Sequence, residues 1–154
     1  MKEEYIKDFD SWNERAKLFN AKEFNDFFYA REIWWCALGT NIGSEQDGKN
    51  ESFERPVVII NKINPHLLLI VPMTSKISDH KHRITVNVFG TQSQVIIEQV
   101  RSISSKRLLR KVGILKMSLF LRVIIGLVNF ILTFSKNETP LVKRGISEPE
   151  GQCK

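Results

Sequence analysis

The residue with the clearest chemical potential is Arg55, which stands immediately before the apolar run of residues 56–60. At the mouth of a buried strand its aliphatic stem can be anchored while its guanidinium faces a groove. The planar fork of N–H donors matches the oxygens of a phosphate group. A surface salt bridge to Glu54 or Glu51 is the simpler explanation, and residue type alone favours it.

Thr74 is a second candidate, because it lies just after Pro72 at the end of another predicted strand. Its hydroxyl can donate a hydrogen bond to a phosphate oxygen. A hydroxyl that stabilises a turn is the commoner role for a threonine beside a serine, here Ser75. The residues alone leave both roles open.

Composition limits the classes of protein that remain. The chain has 154 residues, a formal charge of +6, two cysteines and three histidines. This length suits one domain with or without a tail, and the moderate basic excess permits a polyanionic partner without requiring one. Two cysteines exclude a disulfide scaffold and a cysteine-rich zinc site, and no HExxH pattern is present. We expect no metal and no cofactor. The polar start lacks an apolar signal segment, so we expect a cytoplasmic protein.

The apolar pattern predicts the elements that would position these side chains. Polar residues 1–30 indicate a helical N-terminal extension, with a short helix capped at Asp10 and Ser11 that ends at Asn20. Residues 31–134 form the predicted domain, and polar residues 135–154 a disordered tail. The predicted strands are residues 32–38, 56–60, 66–71, 84–88 and 95–103, the third ending at Pro72. A short helix is expected from Ser105 until Gly113.

Residues 117–134 form the most apolar stretch and are long enough to be a transmembrane candidate. Polar or small residues recur within and just after it at helical spacing: Ser118, Arg122, Gly126, Asn129, Thr133 and Lys136. A helix surrounded by lipid would not need such a polar stripe, and burying the charge of Arg122 in the bilayer would cost free energy. The pattern instead predicts a helix packed against the sheet or in a dimer interface, and no membrane association. Because Ile125 lies off the stripe, we expect it to be buried.

Four segments in order give the chain a resemblance to the MazF/PemK family, the ribonuclease toxins of bacterial toxin–antitoxin pairs. They are REIWWC (31–36) with GSEQ (43–46), RPVVII (55–60), VPMTSK (71–76), and IIEQVRSI (96–103) with KRL (106–108) and Gly113. The likeness covers about residues 31–116. The longer loop at residues 47–54 and the extra N-terminal residues place the chain in a divergent branch, so RNA specificity does not transfer.

The resemblance implies a mainly β (α+β) fold, an SH3-like antiparallel barrel with an apolar C-terminal helix and, in this chain, an extra N-terminal helix. It also implies a homodimer, metal-independent cleavage of single-stranded messenger RNA and a cognate antitoxin protein, with DNA reached only through the antitoxin. The products would be a 2′,3′-cyclic phosphate and a 5′-OH. The same barrel serves toxins that bind DNA gyrase without cleaving anything, and a member that binds only its antitoxin is a further alternative.

The family's motifs also imply roles for individual residues. Arg55 corresponds to the catalytic arginine and Thr74 to the threonine that contacts phosphate, while Glu45 is a candidate proton acceptor. The residues expected to bind substrate are Ser44, Gln46, Ser75, Lys76, Gln99 and Arg101. Gln99 is expected to point the same way as Ile97 and Arg101 along one strand. Trp34 and Trp35 could stack on bases, but we expect both in the core.

Overall fold

The computed structural model describes residues 6–24, 27–88 and 90–137. Within these residues, seven antiparallel strands form the body of the protein and two helices pack beside them. The helices are α1 (Phe9–Ala21) and α2 (Met117–Asn137). The strands are β1 (Glu32–Ala37), β2 (Glu54–Asn64), β3 (Leu67–Thr74), β4 (Arg83–Val88), β5 (Thr91–Ile96), β6 (Arg101–Ser104) and β7 (Leu108–Ile114).

The strands pair in the order β4-β5-β3-β2-β1-β7, and β6 also pairs with β3. This arrangement confirms the predicted mainly β fold with added helices; the path of strands stays open at β4 and β7 rather than closing into a complete ring. Strand β2 lies at the centre, paired with β1 on one side and β3 on the other. It therefore fixes Arg55 opposite Cys36 and places Val57 opposite Pro72.

The apolar run of β2 is buried on both faces at residues 57–59, as the sequence predicted. Val57 and Ile59 enter one core cluster, while Val58 enters a second cluster on the other face. The first cluster includes Phe28, Trp34 and Leu38, and the second includes Met73, Val95 and residues of α2. Two cores on opposite faces of one strand hold its first residues, including Arg55, in a fixed place.

We expected β3 to end at Pro72, but the strand continues to Thr74. Its first half pairs with β6 and its last residues pair with β5. Pro72 lies between these two pairings, where its missing N–H costs no bond on that edge of the strand. The extension matters because it keeps Thr74 in register, opposite Gln94.

The expected single strand over residues 95–103 is also wrong. It consists of β5, a 3-10 turn at Ile97–Gln99 and β6. Strands β5 and β6 pair with different halves of β3, and the turn takes up the change of register between them. Gln99 therefore lies in the turn and does not follow the side-chain alternation of a strand.

Two predictions about helices were wrong, one for the residues after Ser105 and one for the cap of α1. The residues after Ser105 form only a 3-10 turn, Ser105–Arg107, and then strand β7, because pairing with β1 and burial of Leu108 outweigh a weak capping signal. Gly113 lies in that strand opposite Ile33. In α1 the cap is Asp8, whose carboxylate accepts from the amide of Ser11 at 2.9 Å.

Helix α2 packs on the second core through Val123 and Leu127. Gly126 lies so close to Ile84 that a Cβ would be 2.6 Å from its Cδ1 atom. The predicted polar stripe is exposed at Ser118, Arg122, Asn129 and Thr133. The expected burial of Ile125 is wrong, since it is 58% exposed. Among the described residues, no helix combines the length and the apolar character that a membrane span requires.

A second exposed face of α2 is apolar. It consists of Met117, Leu121, Ile125, Val128, Ile131 and Leu132. Most of these residues recur every three or four positions, so they lie along one side of the helix. We call this set the apolar face of α2. The helix runs to Asn137, so its last three residues lie in the expected tail, and residues 138–154 lie outside the described part of the chain.

Candidate active site

Arg55 is buried at the start of β2 and its guanidinium is held by backbone carbonyls from two directions. Its Nε donates to the carbonyl of Asp47 at 2.7 Å, and its Nη1 donates to the carbonyl of Met73 at 3.3 Å. Only 6% of the residue is exposed. Two bonds at the edge of a planar group fix its orientation, so the guanidinium is preorganised rather than free to rotate.

Thr74 lies at the end of β3, next to the carbonyl that holds Arg55. Its Oγ1 accepts from the amide of Lys76 at 3.1 Å, so the turn-forming role is present. That bond uses a lone pair of the oxygen, and the hydroxyl proton is still able to donate. The two roles that the residues left open are therefore compatible: the turn orients a hydroxyl that can contact an anion.

Arg55 and Thr74 line the same open cavity, of about 230 Å³. The other polar residues of its wall are Ser75, which was expected, and Lys49, Asn50, Glu54 and Ser93, which were not. Lys49 and Asn50 come from the longer loop before Arg55, where the amide and carbonyl of Lys49 bond to the backbone of Glu54. Asn50 has a φ of 60°. The sequence signal was the turn-forming Gly48 and Asn50 ahead of a strand.

Trp34 and Trp35 face opposite sides of β1, as neighbours on a strand must. Trp34 is in the core, as expected, and its Nε1 donates to Glu32 at 2.8 Å. Trp35 is not a core residue: it is half-buried and lines the cavity beside Arg55 and Thr74. The guanidinium of Arg110 lies 4.9 Å from the Trp35 ring centre. The indole thus forms part of the cavity wall, and the Arg110 cation lies close to its ring.

Glu54 is committed to Arg110, since both of its carboxylate oxygens accept from that guanidinium at 2.8 Å. These hydrogen bonds are the largest cause that holds the pKa of Glu54 below its ordinary value. The carboxylate therefore stays ionised beside the cavity and orients Arg110 over Trp35. Residue types alone had favoured a salt bridge between Glu54 and Arg55. In the structure the carboxylate of Glu54 pairs with Arg110 instead.

The candidate residues of the loop before the site are not gathered at the Arg55–Thr74 cavity. We call residues 39–49 the site loop. Gln46 is half-buried and, with Asp47, lines a neighbouring cavity that also reaches Arg55. Ser44 and Glu45 are exposed. Glu45 lies in a turn in which its amide donates to the carbonyl of Ile42 at 3.1 Å.

Gln99 supports the site loop from the barrel side. Its Oε1 accepts from the amide of Gln46 at 2.9 Å, and its Nε2 donates to the carbonyl of Ser44 at 3.1 Å. Arg101 donates from Nη1 to the side-chain oxygen of Asn41 at 3.3 Å. Both residues were expected to bind substrate; the structure places them against the loop that carries Ser44, Glu45 and Gln46. Lys76 is exposed just beyond Thr74.

Other reactive groups lie outside the cavity. Burial raises the pKa of the Cys36 thiol to about 12, so it is protonated and a poor nucleophile. His80 and His82 contact each other, His80 lies next to Glu98 and His82 packs against Phe130, and neither histidine lines the cavity. Across the described ranges no three His, Cys, Asp or Glu side chains are grouped as a metal ion would require.

Comparisons with known proteins agree with this architecture. The chain is similar to MazF from Deinococcus radiodurans, at 19% identity over 73% of this chain and 99% of the other, with a TM-score of 0.57. It is similar to a MazE–MazF structure from the same organism, at 15% identity over 71% and 97% with a TM-score of 0.53. A mycobacterial endoribonuclease in complex with its cognate antitoxin matches at 10% identity over 73% and 99%, with a TM-score of 0.51.

At these low sequence identities, the structural similarity establishes the fold of the chain and nothing further. No curated protein is similar enough to count as a match. The family model described as PemK-like, MazF-like toxin of type II toxin–antitoxin systems matches residues 29–131, about two thirds of the chain and all of β1–β7. The match includes Arg55, Thr74 and the site loop, and it begins after α1. The chain therefore belongs to the PemK-like, MazF-like toxins of type II toxin–antitoxin systems.

Proposed function

We propose that this chain is a metal-independent endoribonuclease that cleaves single-stranded RNA. In the proposed step the 2′-oxygen attacks the adjacent phosphorus, an O2′–P bond forms and the P–O5′ bond breaks. The proton of the 2′-OH passes to a base, and the leaving 5′-oxygen receives a proton. The products are a 2′,3′-cyclic phosphate and a 5′-OH. The observation that carries this proposal is the fixed guanidinium of Arg55 in one cavity with the hydroxyl of Thr74.

The role of Arg55 is to stabilise negative charge that develops on the phosphorane. A guanidinium already held by the Asp47 and Met73 carbonyls needs little reorganisation when that charge appears. Thr74 donates to a second phosphate oxygen, its orientation set by the Lys76 amide. Glu45 is the proposed proton acceptor, on a loop whose backbone Gln99 fixes on either side of it.

The cavity walls suggest how a single strand is held. A base without a pairing partner can stack on the exposed part of Trp35, which a duplex would not permit. Ser75 and Gln46 offer polar groups near Arg55, while the exposed Lys76 can pair with a neighbouring phosphate. Ser44, Gln99 and Arg101 act on substrate through the position of the site loop.

The proposed partners are a cognate antitoxin and a second copy of the chain. Two of the similar structures hold a MazE–MazF pair and an endoribonuclease with its antitoxin. The apolar face of α2 supports dimerisation, since so many exposed large apolar residues on one helix mark an interaction surface. A toxin that acts on messenger RNA would work in the cytoplasm.

The test is digestion of a long single-stranded RNA by the purified protein in the presence of EDTA. We expect cleavage, with products that carry 2′,3′-cyclic phosphate and 5′-OH ends. An otherwise identical RNA with 2′-deoxy at the cleaved position should resist, because the nucleophile is missing. Cleavage of that deoxy substrate at an undiminished rate would contradict the mechanism. No cleavage of any RNA would favour the alternative of a barrel that only binds a protein.

A further inference from the structure

The N-terminal extension lies outside the family match, yet it contacts the site loop directly. Lys7, just ahead of α1, reaches the loop with three contacts from one ammonium group. Its Nζ donates to the carbonyls of Asn41 at 2.5 Å and Gly43 at 2.9 Å, and it pairs with the Asp47 carboxylate at 3.0 Å. An ammonium group has three protons, so Lys7 uses all of its donor capacity on this loop.

Asp47 connects this contact to Arg55. One oxygen of its carboxylate pairs with Lys7 and the other accepts from the amide of Asn41 at 2.6 Å. The backbone carbonyl of the same residue accepts from Arg55 Nε. The side chains of Lys7 and Asp47 are only 21% and 14% exposed, so this pair is better protected from solvent screening than an ordinary surface pair.

A second set of contacts fixes the start of the site loop. Trp12 of α1 packs on Gly39, where an added Cβ would lie 2.2 Å from the indole ring. Gly39 has a φ of 86°, so both its conformation and this close approach require glycine. Thr40 donates from its hydroxyl to the carbonyl of Asp8 at 3.2 Å. The extension therefore holds the loop at its first residues and again at residues 41–47.

We propose that Lys7 is a positioning residue for Arg55, acting through Asp47, and that the N-terminal extension is a brace for the site loop, in the sense that its contacts fix the position of that loop. This inference rests on the proposed function for its effect on RNA cleavage. Lys7 of the extension and Gln99 of the 3-10 turn bond to different residues of the same loop. With Lys7 removed, the carbonyl of Asp47 loses its fixed place, and the guanidinium loses one of the two carbonyl bonds given above.

The experiment compares Lys7→Met with Lys7→Arg and with Lys17→Met. Methionine keeps an apolar stem without charge, and arginine restores the cation. Lys17 is a matched control, because it lies in α1 and, among the described residues, pairs only with the exposed Glu14. We expect Lys7→Met to lower the single-turnover rate at saturating RNA by about tenfold or more, the scale of a small misplacement of a catalytic group. Lys7→Arg should recover most of the rate, and Lys17→Met should match the wild type.

Two readouts separate positioning from other roles. A direct phosphate contact would raise the RNA concentration for half-maximal rate and weaken its salt dependence, whereas positioning lowers the saturated rate. In an Arg55→Ala background, Lys7→Met should cause a clearly smaller loss than in the wild type, because the part of its effect that passes through Arg55 is already gone. A full tenfold loss in that background, or a normal saturated rate for Lys7→Met alone, would overturn the proposal.

Amide hydrogen exchange gives a readout that needs no RNA. The amide of Asn41 bonds to Asp47 and the amide of Gly48 bonds to the carbonyl of Gly39 at 2.8 Å, so both report on the loop. We expect both to exchange faster in Lys7→Met and unchanged in Lys17→Met. If the wild type cleaves no RNA, the proposed function fails while this measurement still decides the brace. Unchanged exchange in Lys7→Met would overturn the brace whatever the activity.

Discussion

Arg55 is bonded to Asp47 through the backbone carbonyl of Asp47, with 2.7 Å between donor and acceptor. The two residues belong to different elements, a central strand and the site loop, so the bond ties a rigid part of the barrel to an irregular one. The carbonyl fixes the direction of the Nε–H edge, while the pairing of β2 with β1 fixes the backbone of the same residue. Such an arrangement suits a group that must keep one direction toward a phosphate.

Thr74 offers a test of the hydroxyl contact. We expect Thr74→Val to lower the saturated single-turnover rate of RNA cleavage by about tenfold or more, because one donor to the phosphate is lost. Thr74→Ser should retain most of the rate, since its hydroxyl can accept from the Lys76 amide and still donate. A Thr74→Val protein of unchanged thermal stability and unchanged rate would remove Thr74 from the mechanism.

Trp35 offers a test of base stacking. Trp35→Ala should raise the RNA concentration needed for half-maximal rate, by an amount that corresponds to about 1–3 kcal/mol, with a smaller change in the saturated rate. For Trp35→Phe, the RNA concentration needed for half-maximal rate should lie between the values for the wild type and Trp35→Ala. Filter binding to a non-cleavable deoxy oligonucleotide measures this directly. Equal binding by Trp35→Ala and the wild type would show that the indole is only part of the cavity wall.

Helix α2 gives a matched pair of substitutions. Val123 is fully buried against the second core, so Val123→Asp should destabilise the protein by about 4 kcal/mol or more through an unpaired buried charge. Ile125→Asp, on the apolar face of α2, should leave the fold of a single copy intact and abolish dimerisation. Denaturant unfolding and sedimentation measure the two effects. A dimeric Ile125→Asp protein would exclude this face as the dimer interface.

Glu32 predicts how stability depends on pH. Burial opposes its ionisation, but hydrogen bonds from Lys111, Trp34 and the amide of Tyr29 outweigh burial and hold its pKa below the ordinary value. The ionised carboxylate therefore stabilises the fold above the ordinary glutamate pKa, and this contribution is lost as pH falls through the lower folded pKa.

We expect Glu32→Gln to cost about 1–2 kcal/mol of unfolding free energy at pH 7 and much less at pH 3. Urea unfolding at the two pH values measures the difference. Glu14→Gln, at an exposed pair on α1, is the control and should have little effect at either pH. A loss for Glu32→Gln that is as large at pH 3 as at pH 7 would show that the carboxylate's charge is not the cause.

Local pattern was sufficient for much of the fold. The apolar run of β2 predicted burial on both faces, and the break at Gly39 predicted the end of β1. The structure of the residues after Ile96 was harder to predict from the sequence. Strand β3 pairs with β6 in one half and with β5 at its end, and this change depends on the whole sheet rather than on the segment itself. Ile125 was misplaced for a related reason: helical spacing gives the polar stripe, but not which remaining face meets the core.

For the candidate site, residue types alone favoured a salt bridge for Arg55 and left the role of Thr74 open, and the family resemblance is what proposed the two as one site. Arg55 and Thr74 lie in one cavity, although neither is close to the other in sequence. The support of the site loop by Lys7, Gln99 and Arg101 was not predictable, because each contact joins segments more than thirty residues apart. Trp35 was wrongly expected in the core. In a strand that is apolar at successive positions, the sequence does not show which of two neighbouring tryptophans faces outward.

We infer that Arg55 stabilises the transition state of RNA cleavage. The most direct test of this inference is the single-turnover rate at saturating RNA for Arg55→Ala, Arg55→Lys and, as a control, Lys76→Ala, all with EDTA present and all checked for wild-type thermal stability. We predict that Arg55→Ala loses roughly two orders of magnitude or more, the typical cost of one oxyanion donor. Arg55→Lys should recover only part of this rate because it lacks the fork, and Lys76→Ala should mainly weaken binding. A folded Arg55→Ala protein that cleaves at the wild-type saturated rate would contradict the account.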